Sequence, residues 1–297
     1  MMLSTPIAEL QKLVEEGDTY AMSGLSERYA AGNGVPRDIK KAVELLEEAQ
    51  EKGNTYAMVF LANRYLDGTG IEQNVQKGLA LFEKAVENGN AVAMDQLSAR
   101  YVKGDIIEKD LKKAFELREQ SMNKGSEEAM LQLGQMYANG DGIEKDQKKA
   151  EELFNNYVEI MGASGMAKVA AMYTNGNIAE KDFKKAREWC ERAMEKGNVD
   201  VILQLGQMYA NGDGVEKDQK KSEELFDTYA ERKGLFGMHK LAQMYAGGDG
   251  VEKDTKKARE WYKKVLESEG NAGYIRAVQE ALRRLDAEEA KAEEDVF

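Results

Sequence analysis

Side-chain chemistry begins with nucleophiles, titratable pairs and metal ligands, and this 297-residue chain is sparing with them. It has one cysteine, Cys190, and one histidine, His239. A single thiol excludes an internal disulfide framework and a cysteine-rich zinc site, and it fits a reducing compartment. A single imidazole removes most histidine-dependent catalysis and most transition-metal centres. Carboxylates are plentiful, 54 Asp and Glu against 42 Lys and Arg, but they are spread as on any charged helix surface and single out no acid–base pair. The string NGDGIEKD at 139–146 suggests a calcium loop, yet Ile143 takes a ligand position and the required glycine is misplaced. Gly-x-Gly strings lack the third glycine, the Gly-Lys-Ser/Thr and the preceding strand of a phosphate cradle. Gly162-Ala163-Ser164-Gly165-Met166 misses a nucleophile elbow at its last position. Cys190 falls where Leu46 and Phe82 fall in other copies of a repeat, so it reads as a buried thiol. No enzyme, cofactor or metal site is expected.

The element that carries these residues is an internal repeat. Tyr29, Tyr65, Tyr101, Tyr137, Tyr173, Tyr209 and Tyr245 are each 36 residues apart, and Gly32 through Gly248 keep the same step three positions later. This divides the chain into an N-terminal cap (1–17), seven repeats (18–53, 54–89, 90–125, 126–161, 162–197, 198–233 and 234–269) and a C-terminal cap with an acidic tail (270–297). Within a repeat, Met22, Leu25, Ser26 and Tyr29 follow the i, i+3, i+4, i+7 spacing of one helical face, and Ala42, Leu45, Leu46 and Ala49 form a second. Position 26 is always small (Ser26, Ala62, Ser98, Gly134, Ala170, Gly206, Ala242), which lets a neighbouring helix come close. Gly32 and its equivalents suit a helix-ending left-handed residue, and Asp38 and its equivalents suit an N-cap. Ile106 and Ile178 replace a loop glycine, Gly78 and Ser222 replace a helix alanine, and Gly162 and Gly234 sit one position late. Residues 131–154 and 203–226 differ at only two of 24 positions, the mark of a duplicated two-repeat block.

The unit resembles the Sel1-like repeat, a relative of the tetratricopeptide repeat. Leu241, Tyr245, Gly248, Gly250, Val251, Asp254, Lys257, Ala258, Trp261 and Tyr262 carry the likeness in its fullest copy. The resemblance covers 18–269 and implies an all-α, right-handed α/α superhelix, a solenoid of seven helix-turn-helix repeats closed by capping helices. It also implies that the first helix of each repeat lines the concave side.

Charge and hydropathy narrow the partners. The formal net charge is −12, with no clustered basic footprint for a phosphate backbone, so no nucleic acid is expected. Residues 1–17 lack a basic, apolar leader, and no window has the ~18 apolar residues of a span. A cytoplasmic, bacterial monomer off the membrane is the expectation. Residues 272–292 should continue helically with Tyr274, Ala277, Val278, Ala281 and Leu285 inward, and 286–297, net −5, reads as a frayed soluble tail.

Comparing the seven copies locates a binding face. The outward face of the second helix is monotonous, with Lys at position 40 and Glu at position 44 in six copies each. The first helix varies: Tyr20, Tyr56, Val92, Glu128, Ser164, Asp200 and Phe236 share one position, and Gly24, Phe60, Gln96, Gln132, Lys168, Gln204 and Lys240 another. Packing positions repeat because every unit solves the same problem, whereas a ligand is not periodic. Tyr20, Tyr56 and Phe60 are therefore candidate anchors, with Phe236 and His239 a second patch. Some of these aromatics could instead cover seams between repeats. Arg28, Arg64 and Arg100 stand where later repeats carry Met136, Met172, Met208 and Met244. They read either as a ladder for a partner's carboxylates or as stems packed where Met packs, and packing is the preferred reading. The expected function is a non-catalytic scaffold or adaptor for a protein or peptide. The alternative is an immunity protein or inhibitor that neutralises a basic toxin, its acidity speeding capture.

Overall fold

Apolar stripes at helical spacing, cut by glycine every dozen or so residues, produce short helices that cannot bury their faces alone and must stack. The computed structural model describes residues 5–178 and 181–294 and divides into two compact units, Met1–Phe154 and Asn155–Phe297. Among the described residues there are fifteen α-helical segments, one of which (Gln147–Asn175) is two helices joined at Gly162, a 3-10 turn at Asn271–Gly273 and no strand.

The first unit holds α1 (Ile7–Glu15), α2 (Thr19–Ala31), α3 (Ile39–Glu51), α4 (Thr55–Asp67), α5 (Val75–Glu87), α6 (Ala91–Lys103), α7 (Leu111–Asn123) and α8 (Glu127–Asn139), and it ends inside α9 (Gln147–Asn175). Pro6 precedes α1, where its missing N–H costs nothing. Leu10 of α1 is fully buried in a cluster with Met22, Leu25, Leu46 and Ala57. Small residues at position 26 do bring helices close. Ser26 Oγ donates to the Ala42 carbonyl at 2.8 Å, and a Cβ on Gly134 would lie 2.6 Å from the Phe154 ring.

The second unit contains the rest of α9, then α10 (Phe183–Glu195), α11 (Asp200–Asn211), α12 (Gln219–Lys233), α13 (Leu235–Gly247), α14 (Thr255–Glu267) and α15 (Ile275–Glu294). The two displaced glycines have a clear structural consequence. Gly162 (φ 60°, ψ −141°) and Gly234 (φ 58°, ψ −140°) adopt backbone angles open essentially only to glycine, so one residue turns the chain. Elsewhere the turn is a glycine followed by a capping Asp, Asn or Ser, as at Gly53 (φ 87°) and Asn54 or Gly125 (φ 91°) and Ser126.

Every loop between a first and a second helix is closed in the same way. The amide of Asp38 donates to the Tyr29 carbonyl at 2.9 Å, and the equivalent bond recurs in all seven repeats, from Asn74–Tyr65 to Asp254–Tyr245. The Asp38 carboxylate accepts from the Lys41 amide at 3.0 Å, again with counterparts in every repeat. The side chain of that lysine lies over the repeated tyrosine, with Nζ to ring-centroid distances of 4.7, 4.2, 5.2, 5.1, 5.5, 4.3 and 5.4 Å from Lys41/Tyr29 to Lys257/Tyr245. Such a pair stabilises by about 0.5–1 kcal/mol at an exposed site.

The C-terminal segment differs from expectation in two respects. Val278 and Leu285 are buried, Tyr274 and Ala281 half-buried, but Ala277 is exposed and Leu282 takes a share of the inward face. The acidic stretch is helical through Glu294. Asp286 and Glu289 bind Arg259 at 2.7 and 2.9 Å, and Glu288 binds Lys253 at 2.7 Å, so ion pairs to the last repeat replace a frayed tail. Residues 295–297 lie outside the described part.

Candidate partner-binding face

In the first unit, side-chain bonds between repeats set the starts of the first helices in register. Asp18 accepts from the Tyr20 and Ala21 amides, Asn54 from Ala57 and Asn90 from Ala93, each capping its helix. Each Asn also reaches back one repeat, Asn54 Nδ2 to Thr19 Oγ1 at 3.1 Å and Asn90 Nδ2 to Thr55 Oγ1 at 2.9 Å. The residues following those threonines are Tyr20 and Tyr56, so the ladder carries them side by side. Tyr20 is 59% and Tyr56 45% exposed, with ring centroids 6.1 Å apart, and Phe60 and Val92 are exposed as well. Four large apolar side chains thus face solvent on neighbouring helices, which is more than scattered surface residues require.

The three arginines diverge. Arg100 is consumed internally: Nη1 and Nη2 donate to the two Asp67 carboxylate oxygens at 2.6 and 2.8 Å, and Nη2 also donates to Asn63 Oδ1 at 2.9 Å. Its pKa is raised by that hydrogen bond. Arg28 Nη2 approaches the Thr5 carbonyl at 3.5 Å. Arg64 donates to the Thr69 carbonyl at 3.1 Å, and burial followed by the charge of Arg37 lowers its pKa. Met136, Met172, Met208 and Met244 at the same position are all buried.

In the second unit Phe236 is 56% exposed on α13, whereas His239 is half-buried and turned into a seam with Tyr262 and Tyr274, at ring-centroid distances of 6.0 and 5.2 Å. Burial lowers the His239 pKa. His239 lines a cleft of about 410 Å³ with Gln243, Tyr262, Glu280, Arg284 and Glu288. Cys190 is fully buried, which pushes its thiol up to about 12 and leaves no thiolate for chemistry at neutral pH.

Two features escaped sequence reasoning. The lysine over each repeated tyrosine could have been found, because position 41 is Lys in all seven copies. Arg118 occupies the core position of Leu46 and Phe82 and is only 8% exposed, in the field of Asp95, Asp141 and Glu128. Its Nε and Asp95 Oδ1 are buried without a hydrogen-bond partner, while Asp95 Oδ2 accepts from Ser126 at 2.9 Å. The signal was an ionisable pair at 95 and 118, where the second, fourth and sixth repeats have Val59/Phe82, Leu131/Phe154 and Leu203/Phe226.

Comparison with known proteins follows the same architecture. The Sel1 repeat model matches residues 19–54, 55–90, 91–126, 127–155, 163–198, 200–231 and 235–265. No curated protein matches the chain. The crystal structure of a protective antigen of uropathogenic Escherichia coli with an SLR fold is 26% identical, with a TM-score of 0.60, and the match covers 89% of this chain and 56% of that one. A Sel1 repeat protein from Oxalobacter formigenes is 23% identical, with a TM-score of 0.58 over 92% of this chain and 80% of its own. An immunity protein from Pseudomonas aeruginosa is 19% identical over 72% of this chain and 81% of its own, with a TM-score of 0.40. This chain spans little more than half the length of the first of these. Among the described residues no helix is long and apolar enough to cross a membrane. With seven stacked units matched over most of its length, the chain belongs to the Sel1 repeat family, whose members are generally protein-interaction scaffolds.

Proposed function

We propose that the chain is a non-catalytic scaffold that captures a protein or peptide on the first-helix face of its early repeats. The observation that carries this reading is the stripe of exposed Tyr20, Tyr56, Phe60 and Val92. Aromatic side chains supply large, rigid contact area at low entropic cost, and the stacked backbone presents them preformed. Phe236 is the corresponding anchor in the seventh repeat. Capture from a lysate of the source cell on immobilised wild type, beside a Tyr56→Ala/Phe60→Ala variant of equal thermal stability, tests it. Proteins held by wild type are lost from the variant; equal recovery by both removes this face from consideration.

The net charge of −12 favours a second reading, a tight inhibitor of a basic protein such as a toxin. Association with such a target would slow steeply with added salt, whereas apolar capture on the aromatic stripe is far less sensitive to it.

A further inference from the structure

We infer that Arg64 is an open carboxylate receptor at the end of the aromatic stripe, and that the segment bound there carries an Asp or Glu next to an apolar side chain. This deepens the scaffold reading above and rests on it.

The inference comes from two arginines one repeat apart. Arg100 receives a carboxylate from the preceding first helix, Asp67, and a carbonyl oxygen from Asn63. The residues in those places for Arg64 are Ala31 and Glu27. Ala31 has no acid to give, and Glu27 forms no ion pair with Arg64. Among the described residues no carboxylate lies within salt-bridge distance of Arg64, whose neighbouring charge is instead the guanidinium of Arg37. A half-buried guanidinium facing a like charge is stabilised by an anion from outside, and a guanidinium fork matches a carboxylate in two parallel bonds.

Its location couples this receptor to the stripe. Tyr56, Phe60 and Arg64 follow i, i+4, i+8 along one flank of α4, so the charge caps a row of aromatic side chains. Tyr20 extends the row onto α2. A segment that lays an apolar side chain on Tyr20, Tyr56 and Phe60 brings its next turn to Arg64. The mean charge of the chain disfavours acidic partners at long range, so the contact is a short-range determinant of specificity rather than a steering device.

The test is selection of a phage-displayed random peptide library on the full chain, with Arg64→Met and Tyr56→Ala/Phe60→Ala variants in parallel. Methionine fills this position in the last four repeats, so Arg64→Met should retain the fold, checked by an unchanged thermal midpoint. Wild type enriches peptides with an apolar residue and an acid within a turn of it; Arg64→Met keeps the apolar residue and loses the acid. In a synthetic copy of one such peptide, exchanging the acid for its amide weakens binding to wild type at least about tenfold and leaves binding to Arg64→Met unchanged. Apolar peptides without an acid, or acidic enrichment that survives Arg64→Met, overturn the receptor and leave the scaffold standing. Absence of any peptide that depends on Tyr56 and Phe60 removes both.

Discussion

In the sixth repeat Phe226 is buried above Gly206, so close that a Cβ there would stand 2.4 Å from the ring, and Leu203 packs against the same cluster. In the third repeat the same three positions hold Arg118, Ser98 and Asp95. Each repeat is again a pair of helices, and the loops close with the same bonds, Asp218 to Tyr209 and Asp110 to Tyr101. Fold therefore rests on what the repeats share, the loop closure, caps and helix-ending glycines. The interior pair is apolar in one repeat and ionic in the other, within the same frame. The largest expected effect in this comparison is at the apolar interior. Phe226→Ala opens a cavity over Gly206 that no neighbour fills, at a cost of about 3–5 kcal/mol in chemical unfolding. Removing the ionic pair together, as Asp95→Ala/Arg118→Ala, should cost clearly less, because the attraction lost is offset by the desolvation penalty of two buried charges. Equal losses would mean that the ionic interior holds its repeat as firmly as the aromatic one.

Exchanging the ionic interior for an apolar one sharpens the point. The second repeat shows a working set, Val59, Ala62 and Phe82, all buried. Installing it in the third as Asp95→Val/Ser98→Ala/Arg118→Phe should stabilise the protein by about 1–4 kcal/mol, because two unpartnered buried polar atoms disappear. Asp95→Val alone should destabilise, since Arg118 then loses a compensating charge. If the triple variant is less stable than wild type, Asp95 and Arg118 contribute more than their geometry indicates.

How much of this was legible in the sequence depends on the range of the contact. The repeat, the caps at Asp38 and Asp110, and the close approach at Gly134 follow from residue type at fixed spacing, so aligning the copies on their 36-residue step suffices to read them. The engagement of Arg100 by Asp67 was not legible, because the two are 33 residues apart and become neighbours only when repeats stack. The ion pairs from Arg259 and Lys253 to Asp286, Glu288 and Glu289 are of the same kind, and a run of acids in isolation looks like solvated tail. Arg118 was missed because charge was read as surface, while the copy-to-copy comparison that would have exposed it was applied to the outward face. The aromatic stripe was approached from divergence among copies, and the structure adds the Thr–Asn ladder that aligns it.

Arg64 and Arg100 allow a finer version of the comparison on the first-helix face. Arg100→Met breaks three charge-assisted hydrogen bonds and leaves the exposed Asp67 to water, at a cost of about 1.5–3 kcal/mol. Arg64→Met breaks one bond to a carbonyl and relieves the repulsion of Arg37, so its stability should change by less than about 0.5 kcal/mol. Comparable losses in the two variants, read by urea unfolding, would show that Arg64 also has an internal role.

The smallest expected effect concerns the constant part. Lys221 Nζ lies 4.3 Å from the Tyr209 ring centroid and donates to its hydroxyl at 2.7 Å; Lys77 makes the same bond to Tyr65, and all seven pairs share the ring contact. That hydrogen bond raises the Lys221 pKa. A group whose folded pKa lies above its unfolded value adds stability that is full below the unfolded value, here near 10.5, and disappears as pH rises through the folded one. Lys221→Met should thus cost only about 0.5–1 kcal/mol at neutral pH, and the gap between variant and wild type should close above the lysine pKa. Because the fold is a series of like units, a single pair is a small fraction of the total, and stacking seven of them is what makes the contact matter. Replacing lysine at all seven positions should therefore lower stability by several times the single loss; a total no larger than that of Lys221→Met alone would place the holding force of the loops in the backbone bonds between Asp and Tyr instead.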